Sequence, residues 1–562
     1  SYRPIAIKNI CGENFLYFNK FPRYESELKS ALNEHIKHEA GLKNASGKIA
    51  HIMEEVLETR PVFTSYGRLE LNFEQRLAVA LALLKDFLIV SGGPGTGKTS
   101  IVITILRCLV RFGIPADSIF MTAPTGRASQ RLADSLQNGV GSIKGAKKPA
   151  DADLDSVRYG TIHRLLGYNP STGNFVYNSL NRLPLKALVI DEVSMIDIVL
   201  MARLFEAIGP GTKIVLLGDK DQLPSVDAGA VLAELIPGGG EVYYSDAVKR
   251  ELVKISADFK KIPVLKPAST HGLTDRIVIL KRSYRSDEKI LRAAALVNAQ
   301  DENIAMSIPA LPEGMDKKII PEGVFFTDSA GGDLRSWHRT LDAWISMMYF
   351  SGSPLGRSPR RNYKELVGDA CGLDLSEKTV SDGNDILESL FSYAEKSKIL
   401  AFVKHGPFGT FAVNRYISRR LQPELDAGAH GIYFSGAQIM VTENDPIHGL
   451  YNGDVGIVIK TKKGGYRAIF RRSGGFISMP VSETPLSERA FAITVHKSQG
   501  SEYENILVAL PQDGANRLLT KEIVYTALTR ARRSAVLYGS RDILGKAAGR
   551  RIERQSGMKM WE

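Results

Sequence analysis

The sequence predicts an α/β protein with two parallel-sheet blocks, a small β-rich insertion in the second and a short mixed segment in front. Three observations predict this. Short apolar runs, "FLIVSGG", "IFMTAPT", "ALVIDEV" and "KIVLLGD", alternate with helical patterns from about residue 70. A second series starts near "RIVILKRSYRS" and resumes at "AFAITVHKSQG", "ENILVAL" and "SAVLYGS". Between the halves of that series, residues 424–488 form a Gly-rich strand-and-turn stretch that reads as a small β-barrel. Short apolar runs ending in polar or Gly-rich residues are how buried parallel strands look, with function at their C-terminal ends.

Taken in order, residues 1–68 hold a strand, a turn and a helix in "FLYFNKFPRYESELKSALNEHIK" and a second helix in "HIMEEVLETR". The first block covers 69–270, with a small insertion at about 140–158. The second covers 271–423 and 489–562, interrupted by the insertion at 424–488. "GSIKGAKKPADADLDS" (141–156) and "SGSPLGRSPRRNYK" (351–364) read as exposed, mobile loops, and 320–397 matches no recognisable pattern.

At 562 residues the chain is too long for one core. Its 44% hydrophobic and 24% charged content is that of an ordinary globular protein. No apolar run reaches the roughly 18 residues of a membrane span, so no membrane partner is expected. Three widely spaced cysteines form neither a metal cluster nor a disulfide framework, which fits a reducing cytoplasm. The start lacks a secretory layout, and Ser1 in place of Met leaves room for an upstream segment. A net charge of +12 suits a polyanion, though solvated surface lysines and arginines explain it equally well.

"GGPGTGKTS" follows the first strand and fits G-x-x-x-x-G-K-[ST]. Here Gly92, Gly93, Pro94, Gly95, Thr96, Gly97, Lys98, Thr99 and Ser100 would surround a nucleoside triphosphate. Glycines let backbone N–H groups turn inward to phosphate oxygens. Lys98 reaches the β- and γ-phosphates, and the Thr99 hydroxyl can ligate Mg²⁺. In "ALVIDEVSM" a strand delivers Asp191 to hold the metal and Glu192 to orient and deprotonate the attacking water. Gln75 in "LNFEQRLAV" is placed to read adenine. This much predicts an ATPase using ATP and Mg²⁺.

The order and wording of "MTAPTGRASQRL", "YGTIHRLLG", "LLGDKDQLPSV", "LKRSYRS", "FAITVHKSQGSEY" and "VYTALTRARRS" resemble a superfamily 1 helicase. A transferring phosphoryl group needs positive charge, which Arg285 and Arg530 are positioned to bring from the second block. ATP would then join the blocks and hydrolysis release them. The resemblance implies that Tyr284 stacks on adenine and that Gln222 couples the γ-phosphate to the DNA face. It places Gly500 and Glu502 at the nucleotide cleft, and Pro124, Thr125, Arg127, His163, Thr494 and His496 on the DNA.

"KILAFVKHGPFGTFAVNRYI", "GLYNGDVGIVI", "KEIVYTALTRARRS" and "RRIERQSGM" narrow this to a resemblance to the RecD family, the α subunits of exodeoxyribonuclease V. The resemblance spans nearly the whole chain. It implies two RecA-like domains, an SH3-like insertion, and a strand-separating pin in the 140–158 insertion. It implies a 5′-to-3′ DNA motor working with RecB-like and RecC-like subunits at double-strand ends in recombinational repair, with no nuclease site of its own. Residues 1–68 would be the remnant of an N-terminal, RecC-contacting domain. Two other readings remain open: a free-standing RecD-like helicase, and a non-motor ATP-binding clamp on DNA ends.

Overall fold

Five apolar segments of the first half, with the more polar "RYGT" at one edge, line up as six parallel strands. These are β1 (Phe87–Gly92), β2 (Ile119–Ala123), β3 (Arg158–Thr161), β4 (Ala187–Ile190), β5 (Lys213–Gly218) and β6 (Ile277–Leu280). They are ordered β6-β1-β5-β4-β2-β3, and every pair is parallel. The central strands are apolar on both faces because helices cover both. Leu88 and Val90 pack with the helix Lys98–Phe112, while Phe87 and Ile89 pack with the helix Ile198–Ala207. The computed structural model describes all residues except 1–4, 11–12, 19, 38–44, 65–66, 144–148, 226–228, 238–241, 265–271, 285, 313–319, 330–332, 352–360, 377–378, 381–383, 430, 446, 463, 473–474 and 553–562.

The chain divides into two units, the first ending at Tyr284 and the second running Arg285–Ile552. This corrects the predicted boundary at 271. Ile277–Leu280 pairs with β1, Ile277 opposite Ile89, and is the edge of the first sheet. Nor does the segment before residue 69 stand apart from the first unit. Leu28 and Leu32, one helical turn apart in Lys20–Lys37, are fully buried in the core that holds Leu200 and Leu204. Ile49, Ile52 and Met53 of the helix Ser46–Glu54 join the core on the opposite face.

The second unit has a five-stranded parallel sheet: β7 (Gly323–Asp328), β8 (Ser397–Ala401), β9 (Ala492–Thr494), β10 (Tyr503–Ala509) and β11 (Ala531–Gly539). Their order is β7-β11-β10-β8-β9. The fold is therefore α/β with two RecA-like sheets. The unrecognised stretch 320–397 supplies β7 and the helices Leu334–Ile345, Tyr363–Cys371 and Asn384–Ala394. Trp337, Trp344 and Tyr363 bury there.

The predicted insertion is a six-stranded antiparallel sheet centred on Val455–Lys460 and Tyr466–Arg472. Two details differ from expectation. One edge strand, Thr379–Val380, comes from outside 424–488. The other edge strand, Ser487–Arg489, runs one residue past the predicted boundary at 488.

Of the two predicted mobile loops, residues 352–360 and 144–148 lie outside the described residues. The rest of the first, 149–156, is packed. It forms two short helical turns in which Leu154 and Asp151 are buried. Asp151 holds two arginines of the helix Lys98–Phe112: Arg107 Nε at 2.9 Å and Arg111 Nη2 at 2.8 Å. A carboxylate buried against two guanidiniums anchors this segment, and the predicted pin at about 140–158 falls in part on 144–148, outside the described residues.

Candidate nucleotide site and nucleic-acid interface

The phosphate loop links β1 to the helix Lys98–Phe112, whose positive end faces the loop. Gly95 and Gly97 both have left-handed φ, +75° and +82°. A Cβ at Gly97 would also run into the Gln75 amide nitrogen. The loop is held from within. Lys98 Nζ donates to the carbonyls of Gly92 (2.5 Å) and Gly93 (3.1 Å), and Thr96 Oγ1 donates to Gly93 (2.8 Å). It is also held from the segment after β6. Ser283 Oγ donates to Pro94 O and Tyr284 N to Gly95 O, each at 3.0 Å. Tyr284 thus lies beside the loop, half exposed, under the Arg282 guanidinium.

Gln75 is already engaged. Its Oε1 accepts from Asn72 N and its Nε2 donates to Thr96 O, both at 2.9 Å. In this state its amide caps the helix Phe73–Leu84 and steadies the phosphate loop, so reading adenine would require it to release one of these bonds.

Asp191 and Glu192 stand at the C-terminal tip of β4. Burial pushes the Asp191 carboxyl up to about 6; the Glu192 charge adds to this and Lys98 opposes it. Glu192 has φ +52°, and its N–H donates to Asp191 Oδ1 at 2.8 Å. A glutamate held in left-handed backbone is strain of the kind that gathers at reactive sites. A desolvated, mutually repelling carboxylate pair gains from a bound cation. The donor set of Thr99 and Asp191 therefore fits a hard divalent metal. Gln222, 5% exposed beyond β5, donates Nε2 to Asp219 (3.2 Å); its Oε1 lacks a partner among the described residues.

In the first sheet the nucleotide residues lie at the C-terminal ends of β1, β4 and β5. The DNA candidates follow β2 and β3, at the other end of the strand order. Pro124 and Thr125 follow β2, where Thr125 Oγ1 caps the helix Gly126–Gly141 through Ala128 N (3.2 Å), and Arg127 lies in its first turn. His163 follows β3. Its ring meets Tyr168 edge-on at 5.4 Å, and burial lowers its pKa.

In the second unit Thr494 ends β9 and His496 lies just beyond, its pKa also lowered by burial. Gly500 (φ +70°), Glu502 and Arg530 are neighbours. Arg530 is 2% exposed, with Nε on Thr526 O and Nη1 on Ser501 O, both 3.1 Å. Its Nη2 has no partner among the described residues. Glu502 pairs with Arg532 at 2.8 Å. Arg285 lies outside the described residues.

Residues 75–228 match the AAA domain family and residues 489–538 the UvrD-like helicase C-terminal domain family. The RecBCD enzyme subunit RecD of Mycolicibacterium smegmatis is 31% identical over 491 residues, covering 86% of this chain and 74% of that protein. This chain belongs to the RecD family. A second relative, the ATP-dependent RecD2 DNA helicase of Deinococcus radiodurans, is 25% identical over 521 residues, 91% of this chain and 56% of its own length. Among solved structures, the Pif1 helicase from Candida albicans matches 85% of this chain and 96% of its own at 18% identity and a TM-score of 0.37. The two domain matches within this RecD-family chain contain every candidate site residue named above except Tyr284 and Arg285.

Sequence reasoning missed one element. The antiparallel hairpin Tyr168–Asn169 and Asn174–Phe175 places Tyr168 and Phe175 against His163. Tyr168, Val176 and Leu180 are exposed around it. The signal was available in "GYNPSTGNFVY", a turn cluster between two aromatics.

Proposed function

We propose that this RecD-family chain is an ATP-dependent motor that moves 5′ to 3′ along single-stranded DNA. The observation that carries this reading is topological. Nucleotide candidates follow the adjacent strands β1, β5 and β4 and DNA candidates the next two, β2 and β3, so both ligands bear on one sheet.

In this reading Lys98 and the inward loop amides bind the triphosphate, and Thr99 and Asp191 hold Mg²⁺. The metal neutralises phosphate charge when bound. Glu192 orients water and takes its proton. Gln222 turns its free Oε1 toward that water or the γ-phosphate region, and Arg530 offers its free Nη2, with Arg285, to the developing negative charge. Tyr284 flanks the base. Pro124, Thr125, Arg127, Thr494 and His496 contact the DNA strand, and the hairpin beside His163 presents aromatic surface to bases.

The biological setting we propose is a cytoplasmic RecBCD-type helicase–nuclease, with RecB-like and RecC-like partner subunits, at double-strand ends. The relatives' printed names support this membership. Among the described residues no helix is long and apolar enough to cross a membrane.

Strand displacement by the purified chain, on duplexes with a 5′ or a 3′ single-stranded tail, tests the reading. Unwinding from the 5′ tail alone is expected for a self-sufficient motor. DNA-stimulated ATP turnover without unwinding is expected for a motor that needs partner subunits. Unwinding from the 3′ tail overturns the assigned direction, and a turnover indifferent to DNA overturns the motor.

A further inference from the structure

Two neighbouring helices of the second unit present cations to which no role has been assigned above. They are Leu334–Ile345, which follows β7, and Thr410–Leu425, which follows β8. Trp337 packs on Phe408 at 5.5 Å, and His338 stacks on Tyr416 at 4.4 Å and 12°. Asp342 accepts from Tyr416 Oη (3.0 Å) and Arg420 Nη2 (2.9 Å). Between the two helices themselves, the contacts run through His338 and Asp342 to Tyr416 and Arg420.

Arginines flank these contacts on both sides. Arg335 and Arg339 are one turn apart on the first helix, and Arg415 and Arg419 one turn apart on the second; all four are exposed. Other arginines of this unit are ion-paired, Arg471 with Glu395 (2.8 Å), Arg532 with Glu502 (2.8 Å) and Arg533 with Glu322 (2.7 Å), while exposed ones such as Arg292 and Arg517 have no ion pair among the described residues; these four are set apart by clustering as two i, i+4 pairs on neighbouring helices. Among the described residues none of the four has a carboxylate partner. The nearby acids are committed, Asp342 to Arg420 and Asp333 to capping its own helix. Aromatic surface lies among these charges at Phe411, 47% exposed and one turn before Arg415; Tyr416 is already engaged by His338 and Arg420. Unneutralised guanidiniums around a stackable ring are the composition of a single-strand platform.

The platform adjoins the candidate DNA end of the sheet. β8 and β9 are neighbours, with Ala401 opposite Thr494, and Val495 N donates to Ala401 O at 3.0 Å. The helix fed by β8 therefore starts at the same edge as Thr494.

We propose that the face formed by Arg335, Arg339, Arg415 and Arg419, with Phe411, binds the sugar-phosphate backbone and bases of single-stranded DNA beyond the stretch held by Thr494 and His496. It extends the footprint of the strand on the second unit. This rests on the DNA-motor reading above.

The test compares the full chain with its R335Q/R339Q/R415Q/R419Q variant by fluorescence anisotropy. Two single-stranded oligonucleotides are used, about 8 and roughly 30 nucleotides long, one within and one beyond the footprint of a single binding element. Each lost phosphate contact lowers the slope of log K against log salt by about 0.7, so the long oligonucleotide should lose roughly 2 to 3 from its slope. The short one should keep its slope. The R335K/R339K/R415K/R419K variant should keep both slopes, and unchanged thermal midpoints confirm that the variants are folded. A steep wild-type slope that survives the glutamine changes on the long oligonucleotide overturns the surface alone. A wild-type chain with no salt-dependent DNA affinity overturns the motor reading itself.

Discussion

Lys98 Nζ donates to the Gly92 carbonyl at 2.5 Å, so the cation of the phosphate loop is folded onto the loop's own backbone. A triphosphate must replace that bond and the one to Gly93 with its own oxygens. The exchange favours ligand because charged acceptors make stronger bonds than neutral carbonyls. Lys98→Ala is therefore expected to lower ATP turnover by roughly a hundredfold or more. The thermal midpoint without nucleotide should be preserved, because the lost bonds lie in a partly exposed loop. The rise of that midpoint on adding Mg-ATP should vanish. A Lys98→Ala chain with near-normal turnover would remove the assignment.

Arg530 has a double task that makes its substitution informative. Two of its N–H groups satisfy buried carbonyls, and the third points to no acceptor. Arg530→Ala should cost about 1–3 kcal/mol of stability by leaving Thr526 and Ser501 carbonyls unpaired. It should also slow DNA-stimulated turnover by roughly a thousandfold, with nucleotide affinity changed only a few-fold. Arg530→Lys should not restore turnover, because a point charge cannot fill the carbonyls and reach phosphate together. Single-turnover hydrolysis well below the unfolding midpoint separates the two effects. A loss no larger than the fraction unfolded would leave Arg530 with a structural role only.

The candidate nucleotide residues could be proposed from sequence because each follows a short apolar strand in one continuous stretch of chain, where local pattern and chemistry coincide. Lys98 and Asp191 needed no tertiary knowledge. Ile277–Leu280 was misassigned for the opposite reason. A four-residue apolar run says that it is a strand but not with which strand it pairs, and only the register with Ile89 fixes that. "KPADADLDS" looked like a solvated loop because its composition is polar; its burial depends on Arg107 and Arg111, some 40 residues earlier. Gln75 was placed correctly beside the loop, but its two hydrogen bonds depend on Asn72 and Thr96 geometry that a sequence does not display.

That buried triad carries a stability prediction. Asp151 is 0% exposed between Arg107 and Arg111. Burial alone would raise its carboxyl. The hydrogen bonds from Arg111 and Arg107, with their charges, outweigh burial and hold it below the ordinary 3.8. Removing one member of such a group strands the others, so Asp151→Ala should cost about 3–5 kcal/mol. Asp151→Asn, which keeps one acceptor, should cost less. Urea denaturation of the chain checks the order, and an Asp151→Ala chain as stable as the wild type would mean that water reaches the arginines.

The histidines set the pH response above the range in which Asp151 titrates. His35, His163 and His496 are all held below the ordinary 6.5, in each case chiefly by burial. His35 is the most informative, since its Nε2 lies 2.7 Å from Thr212 O and its helix carries the core residues Leu28 and Leu32. The unfolded chain takes up protons at these sites near 6.5, whereas the folded chain takes them up only at lower pH. Just below 6.5 the unfolded state therefore binds more protons, and by linkage stability rises with pH there. Below the depressed values both states are protonated and the full penalty is present; above 6.5 it is gone. In an Asp191→Asn background, which removes the opposing titration of a carboxyl raised to about 6, thermal midpoints measured from about pH 5 to 8 should climb up to the ordinary histidine value and then level off. His35→Gln, which keeps a donor for Thr212 O but cannot gain charge, should flatten part of the climb. A midpoint that falls as pH rises through 6.5 would mean that these rings are stabilised as cations, and that the buried side of each carries an acid partner.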